Sequence, residues 1–167
     1  MTRVIPVINP ERIQAVATLA GAIWTEHYSP IIGPEQVDYM LDHYQSPQAI
    51  QSQIEAGLCY FLLQEAHESI GYLGIEWQDT GVFLSKLYVR SDRRGQGCGK
   101  TALGFIESLV EGKGMRRIHL RVNKYNSDSI LAYERLGFRR VGAVTEAIGN
   151  GFVMDDYLME KWLPQPA

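Results

Sequence analysis

The most informative stretch of the sequence is residues 93–101, which read Arg-Arg-Gly-Gln-Gly-Cys-Gly-Lys-Thr and lie between a predicted strand and a predicted helix. Glycine lets the backbone turn so that several N–H groups point into one concavity, and the first turn of a helix adds a partial positive charge there. Arg94 and Lys100 strengthen that positive field. The segment predicts a phosphate-binding loop, because a simple turn needs one glycine and gains nothing from three glycines with cations.

The segments before this loop predict one strand, two or three helices and three more strands. Thr2–Ile8 has the pattern of a short strand, which Pro6 confines to the edge of a sheet. Helices are predicted to begin where a capping residue or a glycine precedes proline, at Asn9-Pro10, Gly33-Pro34 and Ser46-Pro47. The strands that follow are joined by connections short enough for an antiparallel meander and span Leu58–Glu65, Ser69–Trp77 and Val82–Val89.

The segments after the loop predict a helix over residues 99–111, a strand, a second helix and a closing hairpin. The strand Arg117–Asn123 follows a helical crossover, which favours a parallel pairing with the strand before the loop. The second helix, Ser127–Leu136, ends at Gly137, and the hairpin pairs Phe138–Ala147 with Phe152–Lys161. This order predicts an α/β protein with a mixed, mostly antiparallel sheet of about seven strands, flanked by helices on both faces.

Two other phosphate-loop patterns fit this segment less well. The ATP and GTP loop Gly-x-x-x-x-Gly-Lys-Thr needs glycine at position 94, where the chain has Arg94. The dinucleotide fingerprint can be placed on Gly97, Gly99 and Ala102, but the next strand ends in Asn123-Lys124 instead of the acidic residue that a ribose needs.

The loop resembles the Arg/Gln-x-x-Gly-x-Gly/Ala loop of the GCN5-related N-acetyltransferases (GNAT), with Arg94, Gly97 and Gly99 at the specified positions. Residues 126–138 read Asn-Ser-Asp-Ser-Ile-Leu-Ala-Tyr-Glu-Arg-Leu-Gly-Phe and are similar to the family's Asn-x-x-Ala/Ser-Ile-x-x-Tyr-x-Lys/Arg-x-Gly-Phe segment at each specified position. The predicted element order also resembles the GNAT fold. The resemblance covers nearly the whole chain and implies one domain over residues 1–167.

This resemblance implies acetyl-CoA as cosubstrate. Its diphosphate would lie on the backbone amides of Gly95, Gln96, Gly97, Gly99, Lys100 and Thr101. Its pantetheine arm would pair with the strand before the loop, at Leu87, Tyr88 and Val89, and would pass Asn126 and Ser129. The outer phosphates have three candidate partners, which are Arg93, Arg94 and Arg135.

The chemistry that the family implies is attack of a neutral amine on the thioester, which sets three tasks. A backbone N–H near Tyr88 or Val89 would stabilise the oxyanion. Tyr133 matches the family's proton donor to the departing sulfur, and its other interpretation is an aromatic residue that packs its helix on the sheet. Glu76 is the first candidate for the general base, or else a solvated strand residue, and Asp155 and Asp156 are alternatives.

The acceptor is expected to be a small-molecule primary amine. Carboxylates mixed with aromatic residues in the first helices and the last hairpin suit a cationic amine such as a polyamine, although solvated helix faces explain the same residues. The pattern around Trp24 and residues 37–41 is loosely similar to the bacterial spermidine/spermine acetyltransferase branch. Acetylation of protein N-termini or lysines is the main alternative, and a non-catalytic acyl-CoA-binding domain is another.

Composition restricts the partners. The formal net charge of −3 disfavours a protein that mainly holds a nucleic-acid backbone. No apolar run is long enough for a membrane span or signal peptide, so a cytoplasmic location is expected. The two cysteines and four histidines lack metal-ligand spacing, and no metal is expected. The oligomeric state is open, and a homodimer is compatible with the sequence.

Overall fold

The computed structural model describes residues 1–165, in which seven strands form one sheet accompanied by five α-helices. The strands are β1 (Arg3–Pro6), β2 (Cys59–Glu65), β3 (Glu68–Gln78), β4 (Gly81–Val89), β5 (Arg117–Asn123), β6 (Arg139–Gly149) and β7 (Phe152–Trp162). The helices are α1 (Pro10–Ile32), α2 (Pro34–Tyr44), α3 (Pro47–Glu55), α4 (Cys98–Gly112) and α5 (Ser127–Arg135).

The sheet has the strand order β1-β2-β3-β4-β5-β7-β6. β1 lies at one edge, as the proline in it predicts. β4 and β5 pair in parallel, with Gly81 opposite Arg117 and Leu84 opposite Leu120, whereas β5 and β6 each pair antiparallel with β7. The predicted α/β class, the mixed sheet and the order of its elements are therefore confirmed.

The chain divides into two compact units. The first contains residues 1–76 and 86–105, and its longest helix is α1. The Asn9 side chain accepts a hydrogen bond of 2.9 Å from the Arg12 N–H and so caps α1, and Pro10 follows in the first turn. Apolar residues at helical spacing, including Val16, Ala20 and Ile23, are buried, and α1 packs against α2 and α3. The predicted start of this helix is confirmed.

The second unit contains residues 77–85 and 106–165 and holds the pairing of β5, β6 and β7. One close approach requires glycine, since a Cβ at Gly81 would lie 1.7 Å from the Arg117 carbonyl oxygen. Gly137 has φ +98°, the left-handed conformation expected after the last turn of α5. The face of β5 with Ile118, Leu120 and Val122 is buried. Its other face carries the polar side chains of Arg117, His119, Arg121 and Asn123, which are half-buried.

Candidate cofactor and catalytic site

The glycine loop between β4 and α4 has the backbone geometry of an anion-binding turn. Gly95 and Gly97 adopt φ +75° and +83°, a conformation that other L-residues rarely take. A Cβ at Gly95, Gly97 or Gly99 would meet nothing within 4 Å. Gly95 and Gly97 are therefore required for the backbone conformation of the loop and not for close packing, and the space beside all three glycines is open.

The start of α4 places further N–H groups at this loop. The helix begins at Cys98, and the Thr101 N–H donates to the Gly97 carbonyl at 2.9 Å. Since the first N–H groups of a helix have no carbonyl one turn earlier, those of Cys98, Gly99 and Lys100 can serve a ligand. Gly95, Gln96, Lys100 and Thr101 are exposed, so the residues present fit a phosphate group.

A polar cluster in the first unit, which we call the loop anchor, joins Thr2, Glu65, Arg93 and Cys98. Glu65, the last residue of β2, accepts hydrogen bonds from Thr2 Oγ1 at 2.9 Å and from Cys98 Sγ at 3.3 Å. Its other carboxylate oxygen pairs with Arg93 Nη1 at 2.8 Å. The hydrogen bond from Thr2, followed by that from Cys98, lowers the pKa of Glu65. The carboxylate thus ties the start of the loop and the start of α4 to β2 and to Thr2, which precedes β1.

The two arginines at the start of the loop have different surroundings. Arg93 pairs with Glu65 at 2.8 Å and with Glu68 at 3.3 Å, so two carboxylates engage its guanidinium. Arg94 is exposed and donates from Nε to the Val89 carbonyl at 3.0 Å. Of this pair, Arg94 is the one presented at the loop surface. Arg135, the third candidate, is exposed in the last turn of α5 in the second unit.

The end of β4 is fixed by close backbone packing and by aromatic contacts. Leu87, Tyr88 and Val89 are half-buried, and a Cβ at Gly71 of β3 would lie 2.3 Å from the Tyr88 carbonyl oxygen. The Tyr88 ring lies 5.5 Å from Trp24 of α1, and its hydroxyl lies 3.3 Å from that of Tyr28. The strand segment predicted to hold the pantetheine arm is therefore rigidly supported.

Lys86 is a half-buried cation on β4 that sequence analysis missed. Its Nζ lies 5.6 Å from the centroid of the Tyr60 ring, and burial lowers its pKa to about 8. Tyr60 and Tyr72 belong to the same first unit and bond to Gln45, at 3.0 Å and 2.6 Å. A lysine among apolar strand residues was the available signal, but its burial depends on residues distant in sequence.

The Asn126–Phe138 segment lies in the second unit. Asn126 precedes α5, is 3% exposed and accepts the Ile130 N–H at 3.0 Å through its carbonyl. Ser129 and Tyr133 are half-buried. The Tyr133 ring makes an edge contact with Phe138 at 5.4 Å between centroids, so the residue has a packing partner as well as its predicted chemical role.

The three carboxylates considered as general base differ in environment. Glu76, near the end of β3, is exposed. Asp155 pairs with Lys124 at 2.8 Å and accepts from Thr145 at 3.0 Å, and the hydrogen bond from Lys124 lowers its pKa. Asp156 is 3% exposed, and burial raises its pKa although Arg121 Nε lies 3.2 Å away.

The described part of the chain has neither a candidate metal centre nor a candidate membrane helix. No group of three or more His, Cys, Asp and Glu side chains within residues 1–165 is arranged to hold a metal ion. None of the helices in that range is long and apolar enough to cross a membrane.

The mixed sheet and the open glycine loop ahead of α4 define an acetyltransferase-type α/β fold. The profile of the Acetyltransferase (GNAT) family matches residues 22–138. That match spans more than half of the chain, which therefore belongs to the GNAT family of acetyltransferase enzymes.

Comparisons with individual proteins agree with this family. Spermidine N(1)-acetyltransferase of Thermoplasma acidophilum is 22% identical over 153 residues, 89% of this chain and 92% of that protein. Thialysine N-epsilon-acetyltransferase of Sus scrofa is 30% identical over 73 residues, so the match spans 44% of this chain and less than half of the relative, 41%. The crystal structure of the PaiA N-acetyltransferase from T. acidophilum in complex with coenzyme A has the same fold, with TM-score 0.80, 20% identity and coverage of 97% and 99% of the two chains.

Proposed function

We propose that the chain is an acetyl-CoA-dependent N-acetyltransferase that transfers the acetyl group directly to a small primary amine. The observation that carries the proposal is the loop of residues 93–101, whose positive-φ glycines and helix start offer several N–H groups to one anion. Membership in the GNAT family supports the donor, and a structural relative was crystallised with coenzyme A.

Each part of the cosubstrate has proposed partners in this chain. The amides of Gly95, Gln96, Gly97, Gly99, Lys100 and Thr101 hold the diphosphate, and Arg94 and Arg135 contact outer phosphate oxygens. The backbone of Leu87, Tyr88 and Val89 hydrogen-bonds the pantetheine arm as a neighbouring strand would, beside Asn126 and Ser129. Acetyl-CoA supplies the activated acetyl group, and the protein supplies orientation and proton transfer.

Three groups carry out the chemistry in this proposal. A backbone N–H at Tyr88 or Val89 stabilises the developing oxyanion, a contribution typically worth roughly 3 to 4 kcal/mol. The Tyr133 hydroxyl donates a proton to the departing sulfur; a phenol pKa of about 10 lies only slightly above the thiol value of about 8.5, so the transfer is feasible. A carboxylate, Glu76 or one of the pair Asp155 and Asp156, removes a proton from the incoming ammonium group.

The acceptor class is proposed from chemistry and from the relatives. The two curated relatives are named for spermidine and for thialysine, both of which carry a primary amine. Carboxylates beside aromatic residues in α1, α2 and β7 suit a cationic amine. Acetylation of a protein lysine or N-terminus is the second candidate, because it uses the same loop and the same Tyr133.

The organisation of the protein completes the proposal. One N-acetyltransferase domain is proposed over residues 1–167, as the sequence resemblance implies. A cytoplasmic location and a homodimer remain predictions of the sequence, which cell fractionation and sedimentation of the purified protein test.

The deciding experiment measures thiol release from acetyl-CoA with spermidine, spermine, free lysine and a peptide with a free N-terminus. Release with one amine, together with a mass gain of one acetyl group on that amine, is the expected result. Acetylation confined to the peptide favours the protein acceptor. Binding of acetyl-CoA without release on any acceptor contradicts the proposed activity and favours a non-catalytic acyl-CoA-binding domain.

A further inference from the structure

We propose that Asp156 is the general base of the reaction and accepts a proton from the ammonium group of the acceptor, and that Arg121 is the positioning residue that holds its carboxylate. This assignment rests on the proposed function. It selects one residue where the sequence leaves three candidates, and it places the acceptor's amine against the second unit.

The position of Asp156 in the sheet suits this role. Asp156 of β7 lies opposite Asn123, the last residue of β5. α5 begins four positions later in the chain, at Ser127, and carries Tyr133. Ligands of open α/β sheets bind at the carboxyl ends of strands. Asp156, the proposed base, and α5, which carries the proposed acid Tyr133, therefore both belong to the same end of β5.

The buried side chain of Asp156 belongs to a polar cluster with the half-buried Arg121 and the exposed Glu146. Its Oδ2 lies 3.2 Å from Arg121 Nε, and Arg121 Nη1 pairs with Glu146 at 2.8 Å. Arg121 Nη2 is buried and has no hydrogen-bond partner among residues 1–165. An unsatisfied buried donor lowers stability by about 1 to 3 kcal/mol. A hydrogen-bond acceptor atom of the substrate would give Arg121 Nη2 its missing partner.

The neighbouring aspartate is a control built into the same strand. Asp155 points to the opposite face, where Lys124 and Thr145 stabilise its charged form and lower its pKa. Asp156 faces Arg121 from β5 and Glu146 from β6, and desolvation by burial outweighs the arginine and raises its pKa. A carboxylate of raised pKa is the better acceptor for an ammonium proton, because the difference between the two pKa values is smaller.

The proton and the bonds balance in the resulting step. One ammonium proton passes to the Asp156 carboxylate, directly or through one water, and leaves a neutral amine. The amine nitrogen then forms the C–N bond with the thioester carbonyl carbon, and the C–S bond breaks. The departing sulfur takes the Tyr133 proton, and Tyr133 is reprotonated by the second proton that the nitrogen loses. Asp156 returns its proton to solvent, so the products are amide, free thiol and one proton.

The test compares Asp156→Asn with the matched control Asp155→Asn and with the competitor Glu76→Gln. The substrate is whichever of spermidine, free lysine and the peptide the wild type acetylates, and kcat/KM is measured against pH. Asp156→Asn is expected to lower kcat by at least about 100-fold and to remove the acid limb of the profile, with acetyl-CoA affinity unchanged. The two other variants are expected to retain the limb.

Two further measurements keep the assignment testable if Asp156→Asn folds poorly. Asp156→Glu keeps a carboxylate beside Arg121 and is expected to keep the acid limb at a shifted pH. In the wild type without substrate, carbon NMR of labelled aspartate is expected to show a resonance, absent from Asp156→Asn, that titrates above the ordinary aspartate range. An Asp156→Asn enzyme with a normal rate, or a limb that only Glu76→Gln removes, overturns the assignment alone. Wild-type protein inactive on every acceptor overturns the proposed function as well.

Discussion

The loop of residues 93–101 and the hairpin of β6 and β7 derive their chemistry from different parts of the chain. The loop uses backbone N–H groups, which two glycines at positive φ and the start of α4 arrange locally. The hairpin presents side chains, and the pKa of Asp156 is raised by burial and lowered by Arg121 on another strand. A backbone site is therefore recognisable in the sequence, whereas a side-chain site depends on strand register.

The largest expected effect concerns the backbone site. Gly97→Asp places an anion where the diphosphate is proposed to bind, and like charges brought together this closely lower affinity by several kcal/mol, or more than about 100-fold. Calorimetry with coenzyme A measures the change. Gly104→Asp adds the same charge to α4 at a position where a Cβ meets nothing within 4 Å. This variant is expected to bind coenzyme A with the affinity of the wild type. Equal affinity of both variants and wild type would contradict the loop assignment.

Tyr133→Phe tests whether the phenol acts chemically. Phenylalanine keeps the edge contact with Phe138 but removes the proton donor. We expect kcat to fall by about 100-fold while the dissociation constant of acetyl-CoA stays within about threefold. Tyr125→Phe is the matched control, because Tyr125 is 70% exposed ahead of α5. Loss of binding in parallel with kcat would assign Tyr133 to packing.

Gly71→Ala tests the support beneath the end of β4. The new Cβ would lie 2.3 Å from the Tyr88 carbonyl oxygen, so β3 or β4 must shift. Overpacking of this kind destabilises a protein by roughly 1 to 3 kcal/mol. We expect a lower unfolding midpoint and weaker acetyl-CoA binding in the protein that remains folded. Gly21→Ala in α1, where nothing lies within 4 Å, is expected to raise the unfolding midpoint slightly, because alanine favours a helix over glycine, and to leave acetyl-CoA binding unchanged.

The smallest effect separates the two adjacent arginines. Arg94→Ala removes an exposed cation and is expected to weaken coenzyme A binding by about tenfold, the value of one charged hydrogen bond. Arg93→Ala leaves Glu65 and Glu68 without a shared cation, so it is expected to affect stability more than affinity. Calorimetry and thermal unfolding of both variants provide the comparison. Stronger loss of affinity in Arg93→Ala would reverse the two roles.

The sequence predicts the fold and the loop because both depend on local signals. Pro6 predicts the edge strand, Asn9 predicts the helix cap, and the helical crossover predicts the parallel pairing of β4 and β5. The surroundings of individual charges are not local. Arg93 reaches Glu65, 28 positions earlier, and Arg121 reaches Asp156, 35 positions later.

The same limit explains why neighbouring residues of similar type acquire different properties. Asp155 and Asp156 are adjacent carboxylates in the sequence, yet the hydrogen bond from Lys124 lowers the pKa of Asp155 and burial raises the pKa of Asp156. Lys86 is missed for a related reason, because its burial against Tyr60 is created by a different strand. The identity of a reactive group is therefore decided by packing after the fold is formed.

A crystal structure of the protein with coenzyme A tests the central claim most directly. We expect the diphosphate oxygens within hydrogen-bonding distance of the N–H groups of residues 95–101, with the sulfur directed towards the Tyr133 hydroxyl. A diphosphate bound away from this loop, or a sulfur that points away from Tyr133, would contradict the account.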